Sequence, residues 1–173
     1  MDDLATLRTA LDQAADVLDR VDAADLARPT PCSDWDVGAL VDHLVAQPAH
    51  FTTMMRGEKP EWSAAPPHLD AGWADAFRAS AADLLGAWDA VQGDPPTSPA
   101  WQCAEISVHT WDLATALGVP LDGLDQAPAE AGLAFMTQML KPEMRQSAFG
   151  PEQPAPSGAD AYGRIAAFAG RTV

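Results

Sequence analysis

Residues 100–117 read AWQCAEISVHTWDLATAL and predict a helix of about five turns. Gly118 follows this segment at once and is typical of a left-handed residue at a helix C-terminus. Pro120 prevents the helix from continuing. The chain as a whole is rich in Ala and Leu and almost lacks runs of β-branched residues, which favours an all-α fold over a β-sandwich or barrel.

Apolar residues recur at helical spacing on both sides of this segment. They predict helices over residues 3–22, 71–91, 129–140 and 160–169. A further helix is predicted to begin after Ser33 or Asp34 and to end near Met55. Segment 129–140 is apolar nearly all round and is expected to be well buried. Together these patterns predict an antiparallel four-helix bundle with short additional C-terminal helices, in one domain spanning the whole chain of 173 residues.

Small polar residues mark where two of these helices begin. Ser33 or Asp34 is expected to cap the second helix, with Asp36 close to its positive end. Asp70 is expected to cap the third helix. Pro48 lies inside the second helix and removes one backbone donor there.

The charge balance excludes several classes of partner. Ten Lys and Arg residues face 25 Asp and Glu residues, which gives a formal net charge of −15. Nucleic acids and anionic membranes are bound through clustered basic residues, so neither is expected as a partner. No apolar run is long enough to span a bilayer, and the acidic N-terminus is unlike a secretory signal, so a cytoplasmic protein is expected.

Three residues form a candidate metal site. Glu105 and His109 are four residues apart, about 40° around a helix, and therefore share one face. His43 lies at the edge of the apolar stripe of the second helix. If the second and fourth helices are neighbours, two imidazoles and one carboxylate meet, a ligand set that suits zinc and also nickel or iron. The alternative is an ordinary surface pair and a separate histidine at the edge of the core.

Other residues near these positions are candidates for supporting roles. Gln47 and His50 continue the strip of His43 along the second helix, and His50 is open to a role as fourth ligand, proton shuttle or substrate contact. Asp112 is one turn beyond His109 and could accept its second N–H. Trp62 and Trp73 flank a long loop and are candidates for a ligand-facing wall, although core packing is the alternative.

Two less prominent residues are expected to play no part in the chemistry. Cys32 is expected to be a small buried thiol. His68 follows two prolines in a loop and is expected to be exposed to solvent.

Several motifs resemble the actinobacterial DinB-like family that includes the N-terminal domain of mycothiol-dependent maleylpyruvate isomerase. The motifs are residues 30–36 (TPCSDWD), 40–45 (LVDHLV), 105–114 (EISVHTWDLA), 149–152 (FGPE) and 164–171 (RIAAFAGR). The similarity extends over essentially the whole chain. Gln47, Pro48 and His50 stand where smaller or different residues are expected in this family.

The resemblance implies a DinB-like four-helix bundle with a divalent metal bound by His43, Glu105 and His109. It also implies a low-molecular-weight thiol such as mycothiol as co-substrate, because a cation beside a thiol favours the nucleophilic thiolate. The leading interpretation is a metal-dependent thiol transferase or isomerase acting on a small molecule. The alternatives are a non-catalytic metal- or ligand-binding module, accessory or stress-related, and a structural bundle whose metal motif has degenerated. A homodimer is also left open by the Ala-rich composition.

Overall fold

The computed structural model describes residues 3–33, 35–62, 64–145 and 149–173, which form helices and no β-strand. The helices are α1 (Asp3–Leu18), α2 (Val37–Met55), α3 (Trp73–Asp89), α4 (Pro99–Leu117), α5 (Ala127–Met139) and α6 (Ala161–Phe168), with 3-10 turns at Ala23–Asp25 and Pro142–Met144. The predicted all-α class is confirmed, and the arrangement is that of a DinB-like helical bundle. Among the described residues, no helix combines the length and apolar character needed to cross a membrane.

Helices α1 to α4 form the bundle, in which α1 and α2 each pack against both α3 and α4. Its core takes one or more fully buried side chains from every helix, including Leu11, Leu44, Phe77 and Ile106. Helices α5 and α6 then pack against α4 on its other side. The second and fourth helices are therefore neighbours, which the candidate metal site requires.

Polar side chains fix the ends of the helices that carry the site. The Asp36 carboxylate caps α2 and accepts a hydrogen bond from the Ala39 amide at 2.9 Å. The predicted cap Ser33 is therefore wrong. Asp34, the other predicted cap, lies outside the described residues. At α4, Ser98 accepts from the Ala100 amide, and Gly118 ends the helix with a φ of 71°, as the sequence predicts.

The predicted end of α1 and the predicted start of α3 were also wrong. Helix α1 ends at Leu18 instead of residue 22, because the Asp22 amide donates to the Asp25 carboxylate at 3.1 Å and forms a separate turn. Helix α3 begins at Trp73, and its N-cap is Gly72 instead of Asp70. Gly72 has a φ of 74°, a left-handed conformation that interrupts the helix before residue 71 can join it.

Helix α5 is far less buried than its composition predicts. Only one face is buried, formed by Pro128, Ala129, Gly132 and Met136, while the side chain of Met139 is 53% exposed. Small residues on the buried face allow a close approach to α4: a Cβ added at Gly132 would lie 2.6 Å from the Cα of Ala104. Leu133 packs beside this face against the second hydrophobic cluster, whereas Phe135 and Met139 of α5 belong to neither cluster.

Candidate metal centre

The three predicted ligands come together between α2 and α4. The Nε2 atom of His43 lies 3.3 Å from Oε1 of Glu105, and the Nε2 atom of His109 lies 3.4 Å from the same oxygen. One candidate ligand atom from each residue falls within 4.8 Å of the other two. Two imidazole nitrogens and one carboxylate oxygen thus converge on one point, which is the donor set of a catalytic zinc site. That they bind a metal stays a prediction.

Charge at the centre depends on how these groups share protons. Burial alone would raise the pKa of Glu105, but hydrogen bonds from His109 and His43 hold that pKa well below its usual range. Burial opposes protonation of His109, yet hydrogen bonds to Asp112 and Glu105 raise its pKa to about 9. Burial lowers the pKa of His43. Without a metal, His109 is therefore expected to be protonated at neutral pH, and a metal bound at its Nε2 atom would displace that proton.

A buried ion pair stands behind His109. Its Nδ1 atom lies 3.1 Å from the Asp112 carboxylate, which in turn accepts hydrogen bonds from Nε and Nη2 of Arg171 at 3.1 and 2.8 Å. Asp112 is fully buried and Arg171 is 7% exposed. The contact leaves Nε2 of His109 facing Glu105, so Asp112 takes the position predicted for it. Sequence reasoning missed Arg171, although a buried carboxylate requires a cationic partner.

Trp35 packs against both histidines from the segment that precedes α2. Its ring centroid lies 4.4 Å from that of His43 and 5.5 Å from that of His109. The two imidazoles lie 4.7 Å apart in an edge-to-face arrangement. These contacts restrict rotation of both rings, which favours a preformed binding geometry.

Gln47 places a fully buried amide at the same point, one turn beyond His43. Its Nε2 atom lies 2.7 Å from Nε2 of His43, while its Oε1 atom is buried without a hydrogen-bond partner. A buried acceptor without a partner costs about 1–3 kcal/mol, so the amide is suited to a site that gains a further occupant. The sequence placed Gln47 on this strip but did not indicate its role.

A cavity of about 630 Å³ opens beside the three candidate ligands and includes all of them in its wall. The wall also contains six aromatic residues, which are Trp35, Phe51, Trp62, Trp101, Phe135 and Phe149. A volume of this size suits a small-molecule ligand. The structure therefore combines a candidate metal centre with an adjacent binding space.

The other candidates divide between the cavity and the rest of the molecule. Trp62 lines the cavity as predicted, whereas Trp73 packs in the bundle core and donates its Nε1–H to the carbonyl of Leu69. His50 packs edge-to-face on Trp62 at 5.0 Å and is not one of the three clustered ligands. Cys32 is half-buried in the cavity wall instead of fully buried.

Comparison with known sequences places the chain in a family. The sequence profile described as the mycothiol maleylpyruvate isomerase N-terminal domain matches residues 7–114. The chain belongs to this family. His43, Glu105 and His109 all lie within the matched residues, whereas Arg171 and the cavity-lining part of α5 lie beyond them. Membership relates the protein to mycothiol and to metal binding.

Two relatives match along the entire chain. They are proteins of Mycobacterium tuberculosis, from strains CDC 1551 / Oshkosh and ATCC 25618 / H37Rv, each described as an uncharacterized protein. Each is 30% identical over 190 residues, and the alignment covers 100% of this chain and of the relative. No solved structure matches the chain.

Proposed function

We propose that this single-domain protein is a divalent-metal enzyme that activates a low-molecular-weight thiol, such as mycothiol, for a transferase or isomerase reaction. The observation that carries the proposal is the convergence of His43, Glu105 and His109 in the wall of a cavity. A divalent cation bound there would favour the thiolate form of the thiol, which is the nucleophile. Zinc fits this donor set best, and nickel or iron would also be accepted.

Each residue of the centre has a definable part in this proposal. His43 and His109 would each bind the cation through one imidazole nitrogen, and Glu105 through a carboxylate oxygen. Asp112 accepts the Nδ1–H of His109 and so keeps Nε2 free for binding. Arg171 holds Asp112 in place from the far side.

The cavity would also shield the thiolate from water. Its aromatic wall limits the water around the thiolate, and electrostatic interactions are stronger where water is excluded. In the proposed transfer reaction the thiol sulfur would form a bond to an electrophilic carbon of the small molecule, while a π bond at that carbon, or its bond to a leaving group, breaks. The electron pair of the broken bond would pass to the neighbouring atom or to the leaving group, which takes up a proton from solvent in exchange for the proton that the thiol releases.

The proposal is tested by measuring metal content and mycothiol-dependent turnover in the wild type and in His109→Ala. Loss of one of three ligands is expected to weaken zinc binding at least about tenfold and to abolish thiol-dependent turnover. His68→Ala is the matched control, because His68 is exposed and lies outside the cluster. Thermal melting of both variants shows whether the fold is retained.

The results separate the candidate functions. Turnover that is unchanged in metal-free wild-type protein would refute the proposal. Calorimetric titration that detects binding of zinc and mycothiol, with no product from any electrophile offered, would favour a non-catalytic metal- or ligand-binding module instead. A melting curve that neither chelator nor zinc changes would indicate a purely structural bundle.

A further inference from the structure

Part of the cavity wall consists of large apolar side chains that lie outside the two packed cores. Trp62, Trp101 and Phe135 line the cavity but belong to neither of the two clusters of buried apolar side chains. Met139, one turn beyond Phe135 on α5, also lines the cavity and belongs to neither cluster. Packing of the cores therefore does not account for Trp62, Phe135 and Met139, whereas Trp101 packs edge-to-face on the core residue Phe51 with ring centroids 5.9 Å apart.

The exposure of large apolar side chains is concentrated at this cavity. Within the described residues, the exposed large apolar side chains are Trp62, Met139 and Val173, and the first two both border the cavity. Trp62 is 52% exposed and Met139 is 53% exposed. Contiguous apolar surface of this kind is typical of a ligand-binding site.

Apart from the proposed metal ion, the described residues of the cavity wall offer no free cation to an acidic ligand. Apart from its histidines, the cationic side chain in its wall is Arg171, whose Nε and Nη2 atoms bind Asp112 and whose Nη1 donates to the carbonyl of Ala169. Lys141 and Arg145 line a neighbouring cavity, which shares Leu140 and Phe149 with this one but none of its charged residues. The residues outside the described ranges include no Lys or Arg. With that metal ion occupied by the thiolate, as proposed above, a dicarboxylate would be desolvated in the cavity without a charged partner.

We infer that the second substrate of the proposed enzyme is an uncharged, largely apolar molecule of one or two aromatic rings, bound against Trp62, Trp101 and Phe135. That this molecule is a substrate rests on the proposed function, whereas its binding in the cavity does not. A cavity of about 630 Å³ holds a molecule of this size. Binding there places the ligand beside His43 and Glu105, which line the same cavity.

The test uses N-phenyl-1-naphthylamine, an uncharged probe whose fluorescence rises when it leaves water, titrated into the full chain after chelation and again with zinc. Saturable binding is expected in both states. Met139→Glu and Phe135→Glu are expected to weaken binding at least about tenfold, because each places a charge in the apolar wall. Gln138→Glu is the matched control: it adds the same charge at the exposed neighbour of Met139 that does not line the cavity, and binding should change less than about twofold.

Competition distinguishes ligand classes of similar size. The uncharged 1-naphthol is expected to displace the probe, and the dianion phthalate is not. Displacement by phthalate as effective as by 1-naphthol, or wild-type binding in Met139→Glu, would overturn the inference. Probe binding without zinc binding or thiol turnover would refute only the proposed function, whereas zinc-dependent turnover without probe binding would refute only this inference.

Discussion

At the scale of single residues, the four histidines show how surroundings determine chemistry. Hydrogen bonds to two carboxylates raise the pKa of His109 to about 9 despite its burial, while burial lowers the pKa of His43 and His50. His68 is exposed as the sequence predicts, and its hydrogen bond to Asp42 raises its pKa. His109 and His43 are thus candidate ligands with opposite pKa shifts. His50 packs on Trp62 beside the cavity, and His68 pairs with Asp42 at the surface.

Asp42→Asn is expected to lower the pKa of His68 towards about 6.5, because the hydrogen bond to Asp42 is the largest cause of its shift. A raised folded-state pKa means that the pair stabilises the fold fully below about pH 6.5, and that this contribution is lost as the pH rises through the folded pKa. NMR titration of the imidazole protons measures the change. His50 is the internal control and should titrate alike in both proteins. An unchanged His68 titration would contradict the assignment.

At the scale of elements, the contact between α4 and α5 shapes the cavity. Gly132 lets the two helices approach so closely that an added Cβ would meet the backbone of Ala104 at 2.6 and 2.8 Å. Ala104 lies beside Glu105 on α4, and both line the cavity. The small-residue face of α5 therefore sets how near Phe135 and Met139 stand to the candidate metal centre.

Gly132→Ala is expected to force α5 away from α4 and to lower the free energy of unfolding by about 1–3 kcal/mol, as overpacking does. Gly86→Ala is the matched control, because Gly86 lies on the exposed face of α3 with nothing within 4 Å of an added Cβ. That substitution should stabilise the protein by about 0.5–1 kcal/mol. Urea unfolding measures both, and equal effects of the two substitutions would contradict the close approach.

For the molecule as a whole, the excess of acidic residues makes the partner of the buried Asp112 carboxylate important. With a net charge of −15, the chain nevertheless buries Asp112 completely in its central helix. Arg171 reaches it from 59 residues further along the chain and forms two hydrogen bonds with it. This pair joins the C-terminal segment to α4 and fixes the group that orients His109.

Arg171→Met is expected to lower the free energy of unfolding by about 3–5 kcal/mol, because it leaves a buried carboxylate without its cation. The same variant should weaken zinc binding by about 10–100-fold through the loss of support for His109. Arg78→Met is the control: Arg78 pairs with Asp16 and Asp19 at the surface, so its loss should cost less than about 1 kcal/mol. Similar losses of stability in the two variants would show that the Arg171 pair is not a buried support.

Much of this architecture is readable from local pattern. The spacing of four residues puts Glu105 and His109 on one face of a helix, since any α-helix has the same periodicity. Gly118 ends that helix for an equally local reason, the ease with which glycine adopts a positive φ. The boundaries at Leu18 and Trp73 were missed because single turns of backbone around Asp22 and Gly72 override apolar spacing.

The helical class, most helix positions and the pairing of the candidate ligands Glu105 and His109 on α4 can be read from the amino-acid sequence, because they follow from contacts between residues a few positions apart. Three further contacts appear only in the packed helices: His43 meets Glu105, Arg171 reaches Asp112, and Phe135 and Met139 of α5 line a cavity instead of a core. These depend on which helices pack together and how closely. That choice is made by the fit of whole surfaces, which no local spacing encodes.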